Sequence, residues 1–488
     1  MLQTLKNAWR TKELKTKILF TLFIVLLYRI GTVVPVPFVD ASSFQSSFNG
    51  TILEYMNLLS GGSLGNATLF ALGVSPYINA SIIIQLLAVV FPNSLGEIAK
   101  NDKKKMGFIT RIVTVVLAIV TAIGYYFLLK GQNGSRSALM PAADPSQNEA
   151  TAWIYAVVII ACYCAGAALV MWLAERINEH GIGNGISIIL FANIVSTLPS
   201  QVYGLIDVIV DTFNYTQPAA YTIVSMIMFV LYAVIAIALV VFVVYITGSE
   251  RRIPIQYAKR VVGRKMYGGQ NSNLPIKLNM TGVMPVIFAS SIVSLVPTIL
   301  ALCNVTNETE GFWGGVSRAI GQDGIIYPLS LFVLIIAFAY FYTQITFDPI
   351  DVANNLKKQG GAIPGIRQGR PTSDYIRKIL NKITLAGALF LSVIAVLPVI
   401  TGSHIVDPIF EWIINGTTEG WSDMDFIYYQ IYNNGYTFAE VAAQRASSLA
   451  STFTFGGTSL IIVVGVALET FRELEAQLTM RNYKGFLN

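Results

Sequence analysis

Ten stretches of mostly apolar residues, each close to the length of a membrane-crossing helix, follow one another at 18–36, 74–91, 108–129, 153–174, 186–203, 221–247, 282–302, 328–347, 384–401 and 457–470. A hydrocarbon core about 30 Å thick takes roughly 20 helical residues at about 1.5 Å rise, so each stretch can cross it. With 54% apolar and only 12% charged residues, the chain lacks the polar surface of a soluble domain, and lipid must be its main solvent. The expected fold class is therefore an all-α membrane protein with ten transmembrane helices.

Alternate crossings put both termini on one side, and the basic residues identify that side. Lys6, Arg10, Lys12, Lys15 and Lys17 precede the first span, and Lys100, Lys103, Lys104 and Lys105 fill the loop after the second. The loops at about 248–281 and 348–383 carry Arg251, Arg252, Lys259, Arg260, Lys277, Lys357, Arg367 and Arg370, among others. The opposite loops collect Glu54, Asp144, Glu149, Glu308, Glu310, Asp407, Glu411 and Asp423. Cytoplasmic loops hold the excess of Lys and Arg, so both termini are expected in the cytoplasm. This topology accounts for the formal net charge of +6 before nucleic acid need be invoked. Residues 1–17 are basic and polar with no small-residue cleavage site after them, so no removable signal peptide is expected.

One segment breaks the pattern. Residues 52–72 are only moderately apolar and are interrupted by Gly61, Gly62 and Gly65, which reads as a short re-entrant half-helix or as an amphipathic surface loop. Irregular backbone at membrane depth is tolerated only where protein or a water-filled cavity surrounds it, so the first reading implies a central cavity. Five spans lie on each side of the loop near 205. That permits two inverted halves, 1–205 and 206–488, although no internal identity is visible.

The sequence has no phosphate loop, no HExxH and no Ser-His-Asp spacing, so no enzyme activity and no cofactor are expected. Cys162, Cys164, Cys303, His180 and His404 form neither a disulfide framework nor a metal site. A chain that cannot hydrolyse ATP needs a partner or an ion gradient for directional work. Arg29 and Arg111 are the main charges within the spans, and an ion site beside either would favour a secondary transporter. A scaffold for a membrane complex is a third class. The inner loops are too long and patterned for connectors. Alternation in IPIQYA and KRVVGRKMY predicts an exposed hairpin with its turn at Gly268-Gly269. Such cationic protrusions either dock an acidic or RNA-bearing partner or only fix topology.

At these residues the sequence resembles the SecY family. The likeness runs through YRIGTVVPVP at 28–37, ALGVSPYINASIIIQLL at 71–87, EHGIGNGISIILF at 179–191, the two inner loops, GGTSLIIVVGVALET at 456–470 and MRNYKGFL at 480–487. The resemblance implies two five-helix halves around an hourglass pore in the bacterial cytoplasmic membrane, a passive path for unfolded preproteins that also releases membrane spans sideways into lipid. The implied partners are SecE, SecG-like small subunits, the motor ATPase SecA, the ribosome, the preprotein and membrane lipids.

Carried over residue by residue, the likeness makes 52–72 a plug, with Leu53, Met56, Leu59, Gly61 and Gly62 as its marked positions. Val74, Ile78, Ile186, Leu190, Ile287 and Ile462 match the pore ring. The pairs 74/78 and 186/190 are spaced i,i+4, so each presents one helical face, and an aliphatic ring resists wetting. Without the resemblance all six would read as ordinary packed aliphatics. Gln85 and Asn279 match the polar positions of a lateral gate; either a hydrogen bond joins them, worth roughly 0.6–2 kcal/mol, or each caps its own helix. Arg367 matches a functionally sensitive arginine facing motor or ribosome, with Arg370, Arg251, Arg252, Lys259 and Arg260 as the companion surface. Proline is commoner in the family where Gln368 stands, which leaves the stiffness of this loop open.

Overall fold

The computed structural model describes residues 2–40, 57, 60–130, 139–140, 149–214, 219–257, 260–262, 265–267, 271–302, 311–321, 324, 326–401 and 456–484. Leu53, Met56, Leu59 and Lys259 lie outside them. A helix occupies each of the ten predicted places: α2 (Lys12–Gly31), α3 (Ser75–Val90), α4 (Lys103–Lys130), α5 (Glu149–His180), α6 (Gly185–Asn214), α7 (Ala219–Gly248), α8 (Met284–Leu302), α10 (Ile326–Thr346), α12 (Arg370–Ile400) and α13 (Gly456–Lys484). Shorter helices include α1 (Leu2–Arg10), α9 (Phe312–Ile320) and α11 (Pro349–Lys358), and a π-helical turn Pro92–Gly96 leads into a short helix Glu97–Asn101. Among the described residues four stretches, Lys104–Lys130, Ala152–His180, Ile326–Lys358 and Arg370–Ile400, are long and apolar enough to cross a membrane. A fifth follows if Ser75–Val90 and Pro92–Ala99, bent by 104° at their junction, form one span.

Local chemistry sets the helix starts. Asp102 stands just ahead of α4 and its Oδ1 accepts from Lys105 N at 3.2 Å, satisfying one of the free amides of the first turn. That bond holds the Asp102 carboxyl below the usual carboxylate range. Asp348 caps α11, accepting from Ile350 N at 2.8 Å, with Pro349 at the position where its missing N–H costs nothing.

Helices α2 to α6 pack among themselves, α5 touching α2, α3, α4 and α6. Helices α7 to α13 do likewise, through the series α8, α10, α12, α13 and α7. Two seams join these groups. On one side α6 meets α7 and α13; on the other α3 and α4 meet α8. The largest apolar cluster runs across both, from Ile24 and Tyr28 of α2 to Ile461 and Val466 of α13.

The inner loops fold into one body. Strand β1 (Glu250–Tyr257) pairs antiparallel with β4 (Asn271–Lys277) and, at Gln256 and Tyr257, with β5 (Gly361–Ala362) of the other loop. Beneath the sheet, Ile253, Ile255, Ile276, Leu356, Ile363, Ile376 and Leu380 form a separate buried core. The predicted hairpin pattern appears as β2 (Arg260–Val262) paired antiparallel with β3 (Lys265–Tyr267), Val262 facing Lys265, while the expected turn at Gly268-Gly269 lies outside the described residues.

Of 52–72, Asn57 is helical, 52–56 and 58–59 lie outside the described residues, and 60–72 run through turns with Thr68 in a β-bridge. Asn57 accepts from Gly62 N, Ser60 Oγ and, through its side chain, Gly65 N, all between 2.8 and 2.9 Å, and these bonds close the turns. Helix α3 has 16 residues, about 24 Å, which is short of a hydrocarbon core, and the turns ahead of it make up the outer part of the crossing.

Candidate functional site

Helices α3, α6, α8 and α13 bring the six aliphatic positions together. Val74 closes the turn ahead of α3 and its carbonyl accepts from Ile78 N at 3.0 Å, so the two side chains share one face. Ile186 and Leu190 lie on the first turns of α6, Ile287 near the start of α8 and Ile462 near the start of α13. All six belong to one contiguous cluster. Val74, Ile78, Leu190, Ile287 and Ile462 are between 1 and 3% exposed, while Ile186 is half-buried. Branched aliphatic side chains at these positions offer water no polar group to bond.

Polar groups lie beside this plug of hydrocarbon, and sequence reading missed them. Asn193 of α6, fully buried, donates from Nδ2 to the Tyr28 hydroxyl at 2.9 Å, and Tyr28 stacks on Phe70 with centroids 5.4 Å apart. An asparagine inside the apolar run FANIV is a signal of a buried polar contact, but its partner, 165 residues away, carried no mark. Gly61 and Gly62, partly buried with left-handed backbone, stand close by, since a β-carbon on Gly61 would lie 2.8 Å from Arg29 Nη1 and 2.9 Å from Asn193 Oδ1.

The two charges flagged within the spans separate clearly. Arg111 of α4 donates from Nε to Glu175 Oε1 of α5 at 2.8 Å, a pair that explains its depth. Arg29 is half-buried on α2 and lines an apolar groove of about 550 Å³ between α2, α6 and α13. Among the described residues no group of three or more His, Cys, Asp or Glu could hold a metal ion.

The expected bond between Gln85 and Asn279 does not form. Gln85 donates to Ser81 Oγ at 2.9 Å on its own helix and faces Tyr342 of α10, while Asn279, buried, accepts from Thr281 Oγ1 at 3.4 Å. The i,i+4 serine and the near neighbour in sequence outcompete a partner on another helix. On the far side of the seam Phe288 of α8 packs against Tyr342 and Phe338 of α10, with ring centroids at 5.4 and 6.1 Å, and Gln85 faces that Tyr342 across it.

On the inner body, Arg251 and Arg252 are exposed on β1 and Arg367 and Arg370 are exposed on the loop carrying β5. Arg252 is engaged by Glu250, Nε and Nη2 both reaching Oε1 at 2.8 and 2.7 Å. Arg260 stands on β2. The loop tip is pinned with glutamine at position 368: Gln368 Nε2 donates to the Gly361 carbonyl at 3.1 Å, and the Arg367 carbonyl accepts from Thr372 Oγ1 at 2.8 Å. Gly369, at φ 99° and ψ −133°, takes a backbone that only glycine adopts freely, turning the chain into α12. Gln368→Ala removes one side of this clamp, worth about 1 kcal/mol, and is expected to speed tryptic cleavage after Arg367 roughly fivefold; an unchanged rate means the glutamine does not hold the loop.

Residues 68–419 match the SecY family. The protein translocase subunit SecY of Streptomyces galbus is 38% identical over the whole of both chains, and that of Mycobacterium tuberculosis 37%. A solved protein-conducting channel superposes with a TM-score of 0.60 at 15% identity, covering 95% of this chain and 92% of that one. Sec61 from a canine ribosome–channel complex does so with a TM-score of 0.56 at 14% identity and the same coverage. At such identities the structural likeness speaks for the fold alone.

Proposed function

The chain belongs to the SecY family, and from that premise we propose that it is the pore subunit of a protein translocation channel, its path running through the ring of Val74, Ile78, Ile186, Leu190, Ile287 and Ile462. One observation supports the assignment: six side chains from four helices, far apart in sequence, belong to one buried apolar cluster that spans both groups of helices. We take those groups as halves, 1–205 and 206–488, hinged where α6 meets α7 and parting where α3 and α4 meet α8. A ring of branched hydrocarbon deforms around a passing polypeptide and holds back ions by dewetting when the polypeptide leaves.

Parting the α3/α4–α8 seam exposes the path to lipid. A residue such as Leu or Ile gains about 0.3–0.6 kcal/mol there and a charged one loses about 2.5–3.5, so a segment of some 20 apolar residues partitions outward and a charged one stays in the channel. Contact of Gln85 with Tyr342 of α10 resists that parting, with Gln85 and Asn279 as the polar groups a passing segment meets. Residues 52–72, with Leu53, Met56, Leu59, Gly61 and Gly62, are the plug. The pairing of Arg111 with Glu175 leaves no ion site there, which disfavours a secondary transporter.

Energy must come from outside, since the chain carries no nucleotide-binding motif. Arg251, Arg252, Lys259, Arg260, Arg367 and Arg370 form the contact surface for the motor SecA and for the ribosome, where attraction to RNA is mainly phosphate neutralisation and so falls with salt. The similar fold of a ribosome-bound Sec61 supports the second partner. SecE and a SecG-like subunit complete the complex. Bacterial relatives over the full length and the basic inner loops support residence in the bacterial cytoplasmic membrane with both termini inside.

The test is crosslinking in reconstituted vesicles, with cysteines at Ile78 and Ile287 and a preprotein stalled by a folded tail. Crosslinks at both positions, dependent on motor and ATP, are expected. Translocation without crosslinks would move the path away from the ring.

A further inference from the structure

We infer that residues 63–73 are a fixed anchor that stays docked on α4 and α5 throughout the translocation cycle, and are not part of what moves when the channel opens. The inference rests on the channel reading above and divides the re-entrant segment that the family likeness treats as one plug.

Three separate contacts hold this stretch. The first is a pair of hydroxyls: Tyr125 of α4 donates to the Leu64 carbonyl, and Tyr163 of α5 donates to the Ala67 carbonyl at 3.5 Å. The two rings lie edge to face with centroids 5.0 Å apart, so each fixes the other. The second is a close backbone approach. Gly166 lies one turn beyond Tyr163, and a β-carbon there would overlap the Leu69 carbonyl, so only glycine lets the segment lie against α5. The third is a short strand pairing with the chain after α2: Val36 N donates to the Ala67 carbonyl at 3.2 Å, Leu69 N donates to the Val34 carbonyl at 2.9 Å, and Pro35 faces Thr68.

The stretch is also buried. Leu64, Ala67 and Ala71 pack with Tyr125, Leu129, Ile159 and Tyr163 in a cluster distinct from the one that holds the ring. Ala67 keeps φ at 46°, a left-handed backbone that a residue with a side chain holds only where its surroundings over-determine it. Undocking would strip partners from the Leu64, Ala67 and Val34 carbonyls and from two amides at once, inside a membrane where water cannot replace them. Displacement of 63–73 in every cycle is therefore the costly route, and a stationary anchor beside the path the cheap one.

Pro35 and Thr68 form a non-hydrogen-bonded antiparallel pair, whose α-carbons stand about 4.5 Å apart, within the span of a disulfide. The experiment is Pro35→Cys with Thr68→Cys, in full-length protein with Cys162, Cys164 and Cys303 replaced by alanine, assembled with its partners in vesicles. Oxidised and reduced channels are expected to translocate a preprotein at the same rate. Loss of translocation on oxidation, recovered with reductant, would overturn the anchor. Failure of the reduced channel to translocate at all would instead remove the channel reading. Val36→Cys with Ala67→Cys tests the same pairing if the first variant does not accumulate. Tyr125→Phe and Tyr163→Phe keep the rings and remove the hydroxyls; the resting ion leak is expected to rise roughly fivefold per hydroxyl lost and to fall again when the disulfide forms. An unchanged leak would take the two tyrosines out of the anchor.

Discussion

Replacing Arg367 with glutamate is expected to lower motor-driven export by roughly tenfold or more while the chain still folds and inserts, because reversing a charge at the centre of a docking surface turns attraction into repulsion. The guanidinium is exposed, and the atoms of Arg367 that the fold uses are backbone, its carbonyl accepting from Thr372 Oγ1. The loop beneath is rigid, pinned by Gln368 to the Gly361 carbonyl and joined through β5 to the strand carrying Arg251 and Arg252. A rigid cationic tip loses little entropy on docking, so each charge there counts for more than one on a mobile loop. The measurement is ATP-dependent uptake of a preprotein into vesicles, with thermal unfolding in detergent as the control for folding. Arg367→Lys keeps the charge but loses the planar fork and is expected to fall between. Export by Arg367→Glu at the original rate would remove the assignment.

The membrane spans were legible because they answer to a one-dimensional rule: about 20 apolar residues against a slab of fixed thickness. Helices stand at all ten predicted places, and the boundaries moved mainly where a helix runs past the apolar stretch, as α5 does to His180 and α13 to Lys484. Position in the ring was legible only through family likeness, since Ile287 and Ile462 look like any other aliphatic in their helices. One contact was misread, decided by a competition that spacing does not encode: Gln85 donates to Ser81 on its own helix and makes no bond to Asn279. The tyrosines that hold 63–73 could not be found at all from sequence, since the acceptors of Tyr125 and Tyr163 are main-chain carbonyls 61 and 96 residues away.

Ile287→Asn is the substitution expected to damage the seal most. Ile287 is 2% exposed in the closed cluster, and an asparagine there buries an amide for which the surrounding isoleucines, leucines and valines offer no partner. Leaving such a group unsatisfied costs about 2 to 3 kcal/mol. When the ring parts around water or a polypeptide the amide finds partners, so the penalty falls on the closed state alone. A difference of that size raises the hydrated or open population roughly 30- to 150-fold. Resting ion flux through vesicles holding the assembled complex should rise accordingly, and preproteins with weakened signal sequences should be exported because the signal has less closure to overcome. Ile462→Asn, on α13 of the same group of helices, should do the same, whereas Ile287→Leu, which keeps volume and apolarity, should change little. The discriminating control is Val293→Asn, which buries the same amide in the same cluster on the same helix but away from the six. If Val293→Asn leaks as much as Ile287→Asn, the effect is general loosening of the core and the ring has no special standing; if only the ring positions leak, the path through the molecule passes between them.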